Sequence, residues 1–251
     1  MNGDPAYDAR TTKRAVALLT SAVPSAAGRV ELDQRVRVPI GAGFGSSAAS
    51  ATSAVYALGA AARARVSKKD LAWLAYRAET EEETGLGTVS VVYDHSGAGA
   101  ITSPGGPGEA TFVRARVPKG TRVVTGTMGP FDKRGALSSP SVGQRVNELG
   151  RDALGAFLAD PTLDCLAAQG ERFSGRLGLE TPEVKKLEAR AKSAGALHAS
   201  QNMIGYAVHC IADESSAPRV SRALRGVGAG VRVDVFDVGT SSAAVLGPSR
   251  R

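Results

Sequence analysis

Hydrophobic positions along this chain recur with two different periods. Recurrence every three to four residues predicts helices, and alternation or short β-branched runs predict strands. The predicted helices span residues 11–22, 46–65, 67–83, 138–194 with breaks near 160–161 and 180–182, and 215–225. The predicted strands span residues 29–38, 89–93, 98–102, 110–117, 122–127, 203–211 and 231–238. Ser46 or Ser47, Ser67, Ser138 and Thr181 stand where helix N-caps are expected.

The order of these elements divides the chain into two parts. Strands give way to helices near residues 128–140, and the last part of the chain closes with a strand, a helix and a strand. We therefore expect an α+β protein with one domain over residues 1–135 and a second over residues 136–251.

Composition narrows the class of protein. The 251 residues are 43% hydrophobic and 22% charged, which is enough to bury a sizeable core. No apolar run is long enough to span a bilayer, and the first residues lack the features of a secretory signal, so we expect a cytoplasmic protein with no membrane contact. Cys165 and Cys210 are isolated in sequence and are expected to be buried thiols.

The net charge of +7 fits either an anionic small molecule or a nucleic acid as partner. Basic residues are scattered, with doublets only at residues 68–69, 185–186 and 250–251, and no basic run is interleaved with aromatic residues. This distribution favours a small anionic substrate over nucleic acid. A basic RNA-binding module stays open as an alternative.

A glycine-rich segment, Pro-Ile-Gly-Ala-Gly-Phe-Gly-Ser-Ser-Ala-Ala-Ser over residues 39–50, lies between a predicted strand and an alanine-rich helix. Glycines let the backbone approach an anion closely, and the first N–H groups of a helix point at it with the positive end of the dipole behind them. The amides of residues 43–47 therefore form a candidate phosphate cradle, from which a serine hydroxyl can reach a magnesium ion. A tight turn with a serine cap is the alternative. The segment lacks the lysine of a Walker loop.

The pattern Pro-x-Gly-x-Gly-x-Gly-Ser-Ser-Ala resembles the nucleotide loop of the GHMP small-molecule kinases. Residues 75–89, Ala-Tyr-Arg-Ala-Glu-Thr-Glu-Glu-Glu-Thr-Gly-Leu-Gly-Thr-Val, and the turn Pro-Gly-Gly-Pro-Gly at 104–108 are similar to the archaeal pantoate kinases, as are residues 2–16 and 200–208. The resemblance implies the GHMP kinase fold, with an N-terminal domain like ribosomal protein S5 and a ferredoxin-like C-terminal domain. It also implies phosphorylation of pantoate by ATP with Mg²⁺, in coenzyme A biosynthesis. The oligomeric state is left open, a homodimer included.

The resemblance carries over to particular positions. Glu79 matches the magnesium ligand, Ser47 is the serine we assign to the metal, and Thr88 stands where the family has its catalytic base. The positions that match the nucleotide-binding loop are Gly41, Gly43, Phe44, Gly45, Ser46, Ser47 and Ala48. Arg77 is a candidate contact for the pantoate carboxylate.

Three features depart from the family pattern. Thr88 replaces an aspartate and cannot accept a proton as a carboxylate does, with Asp94 as the nearest substitute. No arginine precedes the turn at 104–108, and the hairpin and strands with which family members begin are expected to be missing before residue 1. Because positioning and charge neutralisation supply most of the catalysis of phosphoryl transfer, a slow kinase and a nucleotide-binding protein without efficient catalysis both fit these departures.

Overall fold

The computed structural model describes residues 1–4, 7–85, 87–129, 140–203 and 205–246. The predicted cap Ser138 and the predicted domain boundary at 135–136 lie outside these residues. Within them, no helix is both long enough and apolar enough to cross a membrane.

Four helices of the first half pack around one another: α1 (Arg10–Ala22), α2 (Ser46–Ala61), α3 (Lys68–Glu81) and α4 (Thr88–Asp94). Helix α2 is central, because its small residues allow close approach on several sides. A Cβ atom added at Gly59 of α2 would lie 3.0 Å from Leu71 of α3. The buried residues of this core include Ala15, Leu19, Ala51, Val55, Ala72, Ala75 and Val89.

A two-stranded antiparallel hairpin, β1 (Gly99–Ser103) and β2 (Thr111–Arg114), follows α4. The turn between its strands is fixed to the helices. Ser90 of α4 donates to the carbonyl of Gly105 at 2.9 Å, and a Cβ atom at Gly106 would lie 2.1 Å from the Trp73 ring. The glycine at 106 is therefore required by the tryptophan against it.

The second half contains a four-stranded antiparallel sheet in the order β4-β5-β3-β6. Its strands are β3 (Thr121–Thr127), β4 (His198–Gln201), β5 (Ala207–Asp213) and β6 (Arg232–Asp237), and its helices are α5 (Pro140–Ala159), α6 (Leu163–Leu177), α7 (Pro182–Ser193) and α8 (Ala217–Arg225). Strands β5 and β6 flank β3 and are joined through α8, which is a split β-α-β arrangement. Apolar residues of α7 and α8 cover one face of the sheet.

The sequence patterns predicted most of the helices correctly. Ser67 accepts a hydrogen bond from the amide of Asp70 at 3.1 Å and caps α3, and Thr181 accepts from the amide of Val184 at 3.4 Å and caps α7. The predicted cap of α2 was wrong: Gly45, in the left-handed conformation, is its N-cap, and Ser46 is its first residue. Helix α2 also ends at residue 61 and not at 65.

Two predicted strands are not strands. Residues 29–38 alternate in burial as a strand does, but among the described residues no neighbouring strand pairs with them, so they form no ladder. Residues 89–93 lie in helix α4, because the left-handed Gly87 starts a helix there and Val89 is buried in the helical core. Packing overrides the β-branched composition of this segment.

Candidate functional site

The glycine-rich segment folds as a loop that leads into α2. Gly41, Gly43 and Gly45 have φ angles of 76°, 85° and 68°, which side chains other than glycine rarely adopt. No side chain caps α2, and the first N–H groups of a helix have no partner within the helix. The loop and the first turn of α2 thus present backbone amides as donors, as an anion site requires.

The turn between β4 and β5 closes one side of this loop. The side-chain amide of Asn202 donates to the carbonyl of Ala42 at 2.9 Å. A Cβ atom at Gly43 would lie 2.8 Å from the carbonyl oxygen of Asn202, and one at Gly205 would lie 3.2 Å from that of Ala42. Asn202 was not among the predicted site residues, although it lies in the segment 200–208 that resembles the family.

Ser47 and Glu79, which the family resemblance implies as ligands of one metal, lie in contact behind the loop. The hydroxyl of Ser47 donates to Oε1 of Glu79 at 3.0 Å. The Glu79 side chain is buried, with 2% exposure, and its Oε2 has no hydrogen-bond partner among the described residues. Burial raises the pKa of Glu79, while the Ser47 hydroxyl and the Val89 amide act in the opposite direction.

Residues 84 and 85 pack against Ser47 and Glu79. A Cβ atom at Gly85 would lie 2.0 Å from the carboxyl carbon of Glu79, so only glycine fits beside this carboxylate. The carbonyl of Thr84 accepts a hydrogen bond from Ser47 Oγ at 3.4 Å, and the Thr84 hydroxyl lies 2.9 Å from the Thr11 hydroxyl. Helix α1 therefore supports the site through Thr11, a contact that no sequence pattern indicated.

The donor set at Ser47 and Glu79 fits magnesium. Both side chains offer oxygen, and Oε2 of Glu79 is a buried carboxylate oxygen without a partner among the described residues. The described part of the chain contains no group of three or more His, Cys, Asp or Glu residues placed to share a metal. Mg²⁺ in nucleotide sites is commonly held by one or two protein ligands, with phosphate oxygens and water completing its shell.

Thr88 lies beside the loop, at the start of α4. Gly87, with a φ of 93°, is the N-cap of this helix, and a Cβ atom at Gly45 would lie 2.9 Å from Cγ2 of Thr88. Asp94 is six residues further on, which is about 9 Å along the helix axis, and it is exposed. It does not substitute for a carboxylate at Thr88 in this arrangement.

The acidic end of α3 is held by arginines. Glu81 pairs with Arg77 of the same helix at 2.6 Å and with Arg14 of α1, and these contacts lower the pKa of Glu81. Arg77, the candidate contact for a substrate carboxylate, is therefore engaged with Glu81. Its proposed role in binding substrate stays a prediction.

The residues that form this candidate site lie in the part of the chain that matches a known family. Residues 10–93, about a third of the sequence, match the family model described as GHMP kinases N terminal domain. This stretch is similar to the N-terminal domain of GHMP kinases. Helices α1, α2 and α3, which meet around Ser47 and Glu79, lie within it.

A curated relative is the pantoate kinase of Methanospirillum hungatei JF-1, which is 26% identical over 176 residues. The alignment covers 69% of this chain and 56% of the relative, so the chain spans little more than half the length of that protein.

Several solved structures share the fold of this chain over most of their length. A phosphotransferase related to the CoA biosynthesis pathway superposes with a TM-score of 0.79 at 21% identity, covering 96% of this chain and 78% of that one. Homoserine kinase from Cytophaga hutchinsonii gives 0.66 at 18% identity, covering 94% and 79%, and mevalonate kinase from Methanococcus jannaschii gives 0.67 at 14% identity, covering 94% and 77%. The predicted GHMP kinase fold is confirmed.

Proposed function

We propose that this chain is an ATP-dependent kinase of the GHMP family that phosphorylates a hydroxyl group of a small hydroxy acid, pantoate, in the cytoplasm. The observation that carries the proposal is the buried Ser47–Glu79 pair directly behind a glycine-rich loop. The similarity to a protein named pantoate kinase, and to a phosphotransferase related to CoA biosynthesis, supports the choice of acceptor.

The proposed work is divided between backbone and side chains. Amides of the loop and of the first turn of α2 would bind the phosphates of ATP, since they are donors at the positive end of a helix dipole. Ser47 and Glu79 would hold Mg²⁺, which neutralises charge on the phosphoryl group when it is bound. Asn202 holds the loop in position from the second half of the chain. Catalysis of this kind rests on positioning and electrostatics more than on covalent chemistry.

A second candidate is a protein that binds nucleotide without efficient turnover. Thr88 favours it, because the residue beside the loop that the family resemblance assigns to the base position is a threonine and not a carboxylate. A positioned general base contributes about 10²–10⁴-fold to such reactions. Both candidates share the nucleotide site, and they differ in whether an acceptor is phosphorylated.

Nucleotide binding and turnover distinguish these candidates. Purified protein is incubated with ATP, Mg²⁺ and pantoate, and ADP release is compared with and without pantoate. Release that rises with pantoate supports the kinase, and nucleotide binding without release supports the second candidate. Failure to bind nucleotide, together with salt-sensitive RNA binding, would favour the RNA-binding alternative.

The variant Thr88→Asp tests the assignment of the base position. It should raise turnover with unchanged nucleotide affinity, because it restores a carboxylate beside the loop. Thr80→Asp, on the exposed side of α3, is the control and should leave turnover unchanged. No gain from Thr88→Asp would show that Thr88 does not occupy the position of a base.

A further inference from the structure

Gln201 is a buried amide at the end of β4, immediately before the turn that contacts the glycine-rich loop. Its side chain is 5% exposed. The side-chain nitrogen donates to the carbonyl of Gly205 at 3.2 Å and to that of Leu179 at 3.5 Å. The side-chain oxygen accepts from the hydroxyl of Ser174 at 3.5 Å. An apolar residue of the same size would leave these buried groups without this partner, which costs free energy.

The bond from Gln201 to Gly205 spans the turn between β4 and β5. The amide of Asn202 donates to the carbonyl of Ala207 at 2.7 Å, and the amide of Gly205 donates to the carbonyl of Asn202 at 3.1 Å. The Gln201 side chain adds a link from the end of the strand to the far end of the turn. Both residues of the turn that lie against the glycine-rich loop, Asn202 and Gly205, are therefore held by it.

Helix α6 holds the outer edge of the same strand. Backbone groups of an antiparallel strand alternate between its two sides, so the amide of Ala199 points away from β5, toward which the amide of Asn202 points. Glu171 of α6 accepts from the Ala199 amide at 2.7 Å, and its other oxygen pairs with Lys192 of α7 at 3.0 Å. Ser174, one turn further along α6, is the residue that donates to Gln201. Two side chains of α6 thus fix β4 and the amide at its end.

A continuous set of contacts leads from α6 to the glycine-rich loop. Ser174 bonds to Gln201, and Gln201 bonds to Gly205. A Cβ atom at Gly205 would lie 3.2 Å from the carbonyl oxygen of Ala42, and Asn202 donates to that same oxygen at 2.9 Å. Because the turn and the loop are in such close contact, a small displacement of the turn would break the bond from Asn202.

We propose that Gln201 is a positioning residue, which holds the β4–β5 turn and, through Asn202, keeps the glycine-rich loop in one conformation for nucleotide binding. Its effect on ATP rests on the proposed kinase function, whereas its effect on the loop is measurable without any ligand. A side chain that acts in this way lowers the entropy that the loop would lose on binding phosphate.

Gln201→Met in the full chain tests this role, because methionine keeps the length and most of the volume of the side chain but cannot donate. In the ligand-free parent we expect a backbone order parameter of about 0.85 for the Gly43 amide, and in Gln201→Met a value below about 0.6. The dissociation constant of ATP with Mg²⁺, measured by calorimetry, should rise about fivefold, as for the loss of one hydrogen bond.

Asn202→Ala shows whether Gln201 acts through the turn. Alone, it should loosen Gly43 and weaken ATP binding at least as much as Gln201→Met does. In the double variant, Gln201→Met should raise the dissociation constant by less than about twofold further, because the link to the loop is already broken. Fivefold effects that multiply would instead show that Gln201 acts by another route.

Val220→Ala is the control for a loss of stability alone. Val220 of α8 is fully buried in the core of the second half, and α8 packs chiefly on β3 and β6. This variant should lower Tm but leave the order of Gly43 and the affinity for ATP unchanged. If Gln201→Met does not fold, Ser174→Ala replaces it, since it removes the donor to the Gln201 oxygen and should change both measurements in the same direction by a smaller factor.

The proposal is overturned by a Gly43 amide that is already mobile in the parent, or that stays rigid in Gln201→Met or in the variant that replaces it. It is also overturned if the parent binds ATP and Gln201→Met binds it equally well, or if the effects of Gln201→Met and Asn202→Ala multiply. A parent that binds no ATP, but whose Gly43 loosens in Gln201→Met, refutes the proposed kinase function and supports the positioning of the loop by Gln201.

Discussion

Replacing Glu79 with glutamine separates the cost of burying this carboxylate from its proposed use. Glu79 is 2% exposed, one of its oxygens accepts from Ser47 at 3.0 Å, and the other has no partner among the described residues. Glutamine keeps the volume and the acceptor toward Ser47 but removes the charge. Because burial raises the pKa of Glu79, the ionised carboxylate is the unfavourable form in the folded protein.

These contacts give the sign and size of the stability change that we expect from Glu79→Gln. A raised folded-state pKa contributes stability below the unfolded pKa, and this contribution is lost as the pH rises through the folded pKa. At pH 8 the unpaired oxygen costs up to about 1–3 kcal/mol. We expect Glu79→Gln to be more stable than the parent by about 1 kcal/mol at pH 8, a rise of about 2–4 °C in Tm for a chain of this size. The difference should disappear at low pH.

Glu79→Gln should weaken the stabilisation that Mg²⁺ and ATP give, although it stabilises the ligand-free protein. Mg²⁺ and ATP at about 100 times their Kd stabilise a binding protein by about 2.7 kcal/mol, or about 5–10 °C. Glu79→Gln should lose most of this shift, because a neutral amide is a poor magnesium ligand. A gain in ligand-free stability together with a loss of the nucleotide shift is the pattern expected of a residue kept for function.

Thermal unfolding at pH 8 with and without Mg²⁺ and ATP measures both effects. Glu81→Gln is the matched control, since Glu81 lies on the same helix but pairs with Arg77 and Arg14 and does not contact the loop. It should retain the full nucleotide shift. If Glu79→Gln instead lowers Tm and keeps the nucleotide shift, Glu79 is structural and the metal-site reasoning is wrong.

Three other positions give further predictions. Gly85→Ala places a Cβ atom 2.0 Å from the Glu79 carboxyl carbon, so it should lower the nucleotide-induced shift and cost more than about 2 kcal/mol of stability, measured by thermal unfolding. Cys210 is fully buried with a pKa raised to about 12, whereas Cys165 is half-buried and not, as predicted, buried, so a thiol reagent at pH 8 should label Cys165 alone until denaturant is added. Burial raises the pKa of Glu188 to about 7, so the folded chain keeps a proton that the unfolded chain loses at a pH of about 4.3. The contribution of Glu188 to the free energy of unfolding therefore falls as the pH rises toward 7. Glu188→Gln should flatten that part of the curve of stability against pH.

Sequence patterns identified those parts of the fold that are specified locally. The caps at Ser67 and Thr181 and the glycine-rich loop depend on residues close together in the chain, and the structure has them near where they were predicted. Strand 198–201, His-Ala-Ser-Gln, has no apolar signal and was missed, since it exists only through its pairing with β5. Residues 29–38 show the reverse case, with the alternation of a strand but no neighbouring strand in the described ranges.

The candidate site was only partly predictable for the same reason. The contact between Ser47 and Glu79 was expected only from a family resemblance. No local pattern could predict it, because 32 residues separate the two side chains in sequence. The support from Thr11 and the lack of space at Gly85 are properties of packing between helices, and they appear only once α1 and α3 are placed.

The contact between Asn202 and the loop has a consequence for how the two halves work together. A loop with three glycines at positive φ has many conformations in isolation, and binding a phosphate group would require one of them to be selected. The hydrogen bond to Ala42 and the lack of space at Gly43 restrict that choice before any ligand arrives. In the proposed nucleotide site, the β4–β5 turn would therefore raise nucleotide affinity through preorganisation, although Asn202 lies 160 residues away from Ala42 in sequence.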